Sequence, residues 1–174
     1  RATEGATRPV AGLKKARNFW CGRGDDAWMS AAYSRLLVHL VWATWDRRPV
    51  FDERRARRVH GRLAAICRTS DCCALAVGGV ADHVHLLVSL HQSVAVSTLV
   101  QRLKVGTSQF VAHELSVPGF AWQGGYGAFS VGDAERDAVH TYVSNQRRHH
   151  DEGTTRDPWE QTTVNPATAG LPLP

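Results

Sequence analysis

The run Asp82-His83-Val84-His85-Leu86-Leu87-Val88 constrains this chain more than any other. It is short, dominated by aliphatic and β-branched residues, and preceded by Gly78-Gly79, the pattern of a buried strand entered from a turn. Successive side chains of a strand point to opposite faces, so His83 and His85 share one face while Val84 turns to the other. Two adjacent neutral imidazoles form a natural cradle for a divalent metal. Taken alone, a His-x-His pair reads more readily as half-buried strand histidines, so its meaning depends on what else faces it.

A second segment, Tyr142-Val143-Ser144-Asn145-Gln146, supplies that context. On a helix Tyr142 and Gln146 lie four residues apart and share a surface, which brings together a phenolic nucleophile and an amide oxygen. A phosphodiester resists attack because its charge repels nucleophiles and its alkoxide leaves poorly. A metal held by His83 and His85, with Gln146 as third ligand, would offset that charge and keep coordination positions open. Tyr142, with a phenol pKa near ~10, needs activation by the metal or a base. Attack would give a phosphotyrosyl intermediate that conserves the bond for rejoining to another end. Tyr126 is the rival nucleophile, but Gly124-Gly125-Tyr126-Gly127 reads as a turn with no ligand at helical spacing.

The surrounding pattern predicts a strand over Tyr33–Thr44, then the basic loop Trp45-Asp46-Arg47-Arg48-Pro49. A helix follows from a cap at Asp52 to Arg68, with Val59, Leu63 and Ile66 on its inner face. Strands over Cys72–Val80 and His83–Leu90 come next, with Gly78-Gly79 beginning the turn between them. A helix capped by Ser93 and ending near Leu115, a strand over Tyr126–Val131 and a last helix from Asp133 to His149 complete the order. The expected fold is α+β: a ferredoxin-like, RRM-like split βαβ with an antiparallel sheet and an added C-terminal helix carrying the tyrosine.

Composition bounds the rest. The 174 residues fit one domain with loose ends. Residues 1–28 show no sustained period and read either as a non-native extension ahead of a true start at Met29 or as a disordered basic arm. The domain is expected over 29–150, with 151–174 a polar, Pro-rich flexible tail. The net charge is +5, but residues 1–28 hold six Lys/Arg against three Asp/Glu, so over half the excess lies there. Charge therefore says little about a polyanionic partner. No apolar run is long enough to span a membrane, no secretory signal is evident, and Cys21, Cys67, Cys72 and Cys73 lack paired spacing. A cytoplasmic protein without a disulfide framework or zinc ribbon is expected.

Taken together, the motifs resemble those of the IS200/IS605-like single-tyrosine HUH transposase family. His83-Val84-His85 is similar to the HUH motif and Tyr142 to Gln146 to the tyrosine helix. His39-Leu40-Val41-Trp42-Ala43-Thr44 with Arg47-Arg48-Pro49, Leu103-Lys104 with Thr107-Ser108, Tyr126 to Val131, and Asn145-Gln146 with His149-His150 continue the likeness over roughly 33–150. Thr107-Ser108 stands where the family often has two serines. The resemblance implies a metal-dependent endonuclease and strand transferase using Mg²⁺ or Mn²⁺, acting on single-stranded DNA hairpins at element ends as a homodimer. Tyr142 would be the nucleophile, His83, His85 and Gln146 the metal ligands, with the active site built in cis or in trans. Arg47, Arg48, Lys104 and Ser108 are candidate nucleic-acid contacts; a solvated face is the alternative for the Arg54-to-Arg62 run. His149 and His150 read as helix-end residues, and His39 nears the site only if its strand borders that of His85. Thin basic patches leave room for a REP-associated, domesticated relative. A replication-initiator or relaxase-like HUH nuclease and a catalytically idle hairpin-binding protein are the other readings.

Overall fold

The computed structural model describes residues 34–162. Segment 1–28, the boundary at Met29 and residues 163–174 of the tail lie outside them. The described order is β1 (Leu36–Ala43), α1 (Glu53–Thr69), β2 (Cys73–Gly79), β3 (His83–Leu90), α2 (Val96–Glu114), β4 (Gly127–Val131), α3 (Arg136–Ser144), α4 (Gln146–Asp151) and α5 (Asp157–Glu160), with a 3₁₀ turn at Trp45–Arg47. The sheet order is β2-β3-β1-β4 and every neighbouring pair is antiparallel. This is the expected split βαβ arrangement.

The pleat sorts the strands into two faces. Leu40 and Trp42 of β1 and Val84, Leu86 and Val88 of β3 pack with Val59, Leu63 and Cys67 of α1 and Leu99, Val100, Leu103 and Val111 of α2. On the other face, Ala76 and Leu87 meet Val139 and Val143 of α3 in a second, smaller core. Helix α1 begins as expected, with the Asp52 carboxylate accepting from the Arg55 N–H at 2.7 Å.

Three local expectations change. Gly78 and Gly79 belong to β2, and the turn falls at residues 80–82, closed by the Val80 N–H donating to the His83 carbonyl at 3.1 Å. Ser93 does not cap α2; the cap position is Ala95, and the Ser93 hydroxyl instead lies 2.7 Å from His91 Nδ1. The last helix is two helices, because Asn145 leaves helical geometry (φ −107°, ψ 22°) between α3 and α4.

Candidate active site

Register builds the site. Val41 pairs with His85 and Ala43 with His83, so His39, His83 and His85 share the face opposite the larger core. All three are buried. His39 Nε2 lies 2.9 Å from His85 Nδ1, with the rings stacked at 5.1 Å between centroids. His83 Nδ1 lies 2.7 Å from Asp82 Oδ1, and Arg47 Nη1 lies 3.4 Å from Asp82 Oδ2 and 3.3 Å from His83 Nδ1. Arg47 reaches there from a turn in which Asp46 and Arg47 both hold positive φ, 57° and 52°. His83 and His85 thus each have Nδ1 engaged by a neighbour, which orients Nε2 for a ligand.

Helix α3 brings the phenol to these rings. Its approach depends on Gly78: a Cβ there would sit 1.7 Å from the Val143 carbonyl oxygen and 3.4 Å from the Gln146 Cγ. That glycine therefore serves close helix–strand contact rather than the expected turn. Tyr142 and Gln146 remain on one surface across the break at Asn145 and are both buried. The Tyr142 ring centroid is 6.0 Å from that of His85 in the same chain. Gln146 is near enough to the phenol to oppose in part the rise in its pKa caused by burial, yet neither of its buried amide atoms completes a hydrogen bond.

The centre of the cluster is occupied by a residue from the stretch read as a flexible tail. Glu160, at the end of α5, places its Oε2 3.2 Å from His85 Nε2, 3.3 Å from His83 Nε2 and 3.8 Å from His150 Nε2. The His83 contact falls outside hydrogen-bond geometry, leaving that Nε2 unsatisfied. Its other oxygen, Oε1, accepts from the Tyr142 hydroxyl, which also accepts from the Arg156 backbone N–H at 3.1 Å. Trp159 packs edge-on against Tyr142, at 4.9 Å between centroids.

Electrostatics follow from this packing. Burial resists charge on His83, but contacts to Asp82 and Glu160 outweigh it and raise its pKa. Burial lowers His85 despite Glu160, and lowers His39 to about 3, with the charge of His85 adding to the effect. Burial works against ionised Glu160 too, yet its contacts with His83, His85 and Tyr142 hold its carboxyl well below the usual range. Burial and the neighbouring Glu160 raise the Tyr142 pKa, with the Arg156 N–H opposing them. The donor set fits a divalent cation: imidazole nitrogens, a buried amide without partners, and a carboxylate. Ligating atoms of His83, His150 and Glu160 all lie within 4.8 Å of one another.

The structure gathers His83, His85, Tyr142, Gln146 and Arg47, and does not bring the other predicted contacts to them. Arg48 is exposed beside Trp45 on a shallow cavity of about 310 Å³. Lys104 and Ser108 belong to α2, which packs against the opposite face of the sheet. The Lys104 ammonium donates to the carbonyls of Gln123, Gly124 and Gly125 at 2.8, 3.2 and 2.7 Å. The sequence gives no role to Glu160, reads His150 as a helix-end residue, and brings His39 to the site only if its strand borders that of His85, which it does. The one sequence signal for Glu160 is Pro158-Trp159, a helix-starting proline beside a large aromatic in otherwise polar sequence.

Comparison with known proteins identifies the family and the fold. The family described as "Transposase IS200 like" matches residues 32–146. A crystal structure of a candidate transposase from Deinococcus radiodurans R1 is 26% identical, with a TM-score of 0.54, covering 67% of this chain and 95% of that one. A REP-associated tyrosine transposase bound to a REP hairpin shares the fold at 13% identity and TM-score 0.53, covering 70% of this chain and 72% of that one. No curated protein matches. Among the described residues no helix is long and apolar enough to cross a membrane. The chain belongs to the IS200-like transposase family.

Proposed function

We propose that the protein is a metal-dependent endonuclease and strand transferase for single-stranded DNA, with Tyr142 as nucleophile and His83, His85 and Gln146 as metal ligands. One observation carries this reading: the two oxygens of a single carboxylate, Glu160, span the gap between the Tyr142 hydroxyl and the imidazole Nε2 atoms of the same chain. Attack by the Tyr142 oxygen on a DNA phosphorus forms a tyrosine–oxygen–phosphorus bond as the bond to the 3′ oxygen breaks. The phenol gives its proton to solvent and the departing 3′ oxygen gains one, leaving a 5′-phosphotyrosine and a free 3′-OH. A 3′-OH from another strand end reverses the exchange and joins the DNA. A divalent ion, Mg²⁺ or Mn²⁺, would offset the charge that builds on the nonbridging phosphate oxygens. Arg47, beside Asp82 and His83, is positioned to hold a flanking phosphate.

Hairpin DNA is the proposed substrate, supported by the REP hairpin held by the structural relative. The family resemblance supports a homodimer; Tyr142 already lies beside the histidines of its own chain, which favours a cis site. The free thiols of Cys67 and Cys72 support a reducing, cytoplasmic setting. Tyr142→Phe is expected to bind hairpin DNA with wild-type affinity and to form no covalent adduct on a denaturing gel. An adduct formed by that variant removes Tyr142 as nucleophile. The engaged and protonated phenol is the feature that favours the idle hairpin-binding protein instead. Hairpin binding by the wild type without cleavage under any divalent ion would establish that alternative.

A further inference from the structure

We propose that Glu160 is itself a metal ligand, so that a bound cation reinforces the docking of the C-terminal helix α5. The inference rests on the metal site proposed above but assigns a ligand that the family match does not contain, since that match ends at residue 146.

Three observations support it. The first is spacing. Two donors about 2.1 Å from one cation are separated by about 3.0 Å at octahedral angles and about 3.4 Å at tetrahedral ones. Glu160 Oε2 lies 3.2 and 3.3 Å from the Nε2 atoms of His85 and His83, and His150 Nε2 follows at 3.8 Å. The second is donor chemistry. Imidazoles and the Gln146 amide bring no negative charge, whereas Mg²⁺ and Mn²⁺ favour hard anionic oxygen. Among the described residues only Glu160 brings a carboxylate oxygen within 4 Å of both His83 and His85 Nε2. The third is that its seat is built. A Cβ on Gly127 would lie 2.1 Å from the Gln161 carbonyl oxygen, so the chain beside Glu160 runs tight against β4. On its other side the Arg156 N–H donates to Tyr142, and Trp159 packs against the second core. Glu160 therefore arrives on a held segment, while the buried Gln146 amide near Tyr142 still lacks partners.

Coordination by Oε2 leaves Oε1 on the Tyr142 hydroxyl, so one carboxylate would tie the position of the nucleophile to that of the cation. The competing role is a plug, in which the carboxylate fills space that a cation and a DNA phosphate must take.

The test is calorimetric titration of the full chain with Mn²⁺, with no DNA present. Glu160→Gln keeps size and packing and is expected to weaken Mn²⁺ binding about ten- to a hundredfold. In the wild type, Mn²⁺ is expected to slow hydrogen exchange over residues 152–162, and this protection is expected to vanish in the variant. Equal or tighter Mn²⁺ binding by Glu160→Gln overturns the proposal and makes Glu160 a plug. Unchanged exchange over 152–162 on Mn²⁺ addition to the wild type also overturns it. Loss of binding in His83→Ala with unchanged affinity in Glu160→Gln sinks this inference alone. A wild-type chain that takes up no Mn²⁺ sinks the metal site and this inference together.

Discussion

The two faces of the sheet are made from alternate residues of the same strands and have opposite characters. On the α1/α2 face, Leu40, Trp42, Val84, Leu86 and Val88 fill an apolar core. On the α3/α4 face, His39, His83 and His85 occupy positions between, and among the described residues Ala76, Leu87, Val139 and Val143 form a smaller core there. One face supplies most of the buried apolar area, and the other tolerates a buried polar cluster because the first supports it. A one-residue slip of β3 would exchange the roles of both faces. Stability and chemistry are therefore separable by substitution.

The largest expected effect lies on the packing face. Leu86→Ala is expected to cost about 2–5 kcal/mol of unfolding free energy in a denaturant titration. Mn²⁺ affinity measured on the remaining folded protein should stay unchanged, because the leucine side chain points away from the imidazoles. A marked loss of affinity would show that the faces are coupled. Gly78→Ala is the counterpart on the other side. The added methyl would collide with the Val143 carbonyl, so α3 must shift, at about 1–3 kcal/mol. The displacement carries Tyr142 and Gln146 with it. Covalent adduct formation should fall by far more than the stability loss explains, whereas Leu86→Ala should show the reverse balance.

The same comparison explains what could be read in the sequence. Within β3 the alternation of His83 and His85 with Val84 and Leu86 is local and of period two, so both faces are legible in the sequence alone. The Tyr142–Gln146 spacing survived even though Asn145 interrupts the helix, because the surrounding turn still joins Asn145 N–H to the Thr141 carbonyl. Glu160 was not legible. Its partner His85 is 75 residues away in sequence, and its helix is four residues long, too short for a periodic signal. Gly78 was misread for a related reason: glycine in a strand marks either a turn or a close approach, and only the opposing Val143 carbonyl decides between them. His150 was read as a helix end because its proximity to His83, 4.8 Å between ring centroids, depends on the break at Asn145.

A smaller effect is expected at His39, which lies on the polar face behind His85, one ring removed from the proposed metal site. Its Nε2 holds His85 Nδ1, and burial keeps it neutral, so it orients the His85 ring without adding charge. His39→Phe keeps an aromatic ring against Phe129 and Trp159 while deleting the hydrogen bond. Mn²⁺ affinity should fall about tenfold, in the range seen when the partner of a metal-bound imidazole is removed. The unfolding midpoint should move little, since the variant also removes the unpaired buried Nδ1 of His39. Unchanged affinity would mean that packing alone sets the His85 ring.

The smallest effect separates a basic residue from the DNA role its charge suggests. Lys104 lies on the packing face, where it donates to three backbone carbonyls of the loop before β4 and sits 5.6 Å from the centre of the Tyr126 ring. Those contacts close the connection between α2 and β4, which in turn positions Gly127 against the Gln161 carbonyl. Lys104→Met should therefore cost about 1 kcal/mol of stability through lost hydrogen bonds. It should leave the salt dependence of hairpin binding unchanged, because an ammonium that contacts no phosphate releases no counterion. Arg47→Met is the matched control on the chemical face, and there the slope of log affinity against log salt should shrink by about one phosphate contact. If Lys104→Met shrinks that slope instead, DNA runs across the α2 side and the division between the two faces fails.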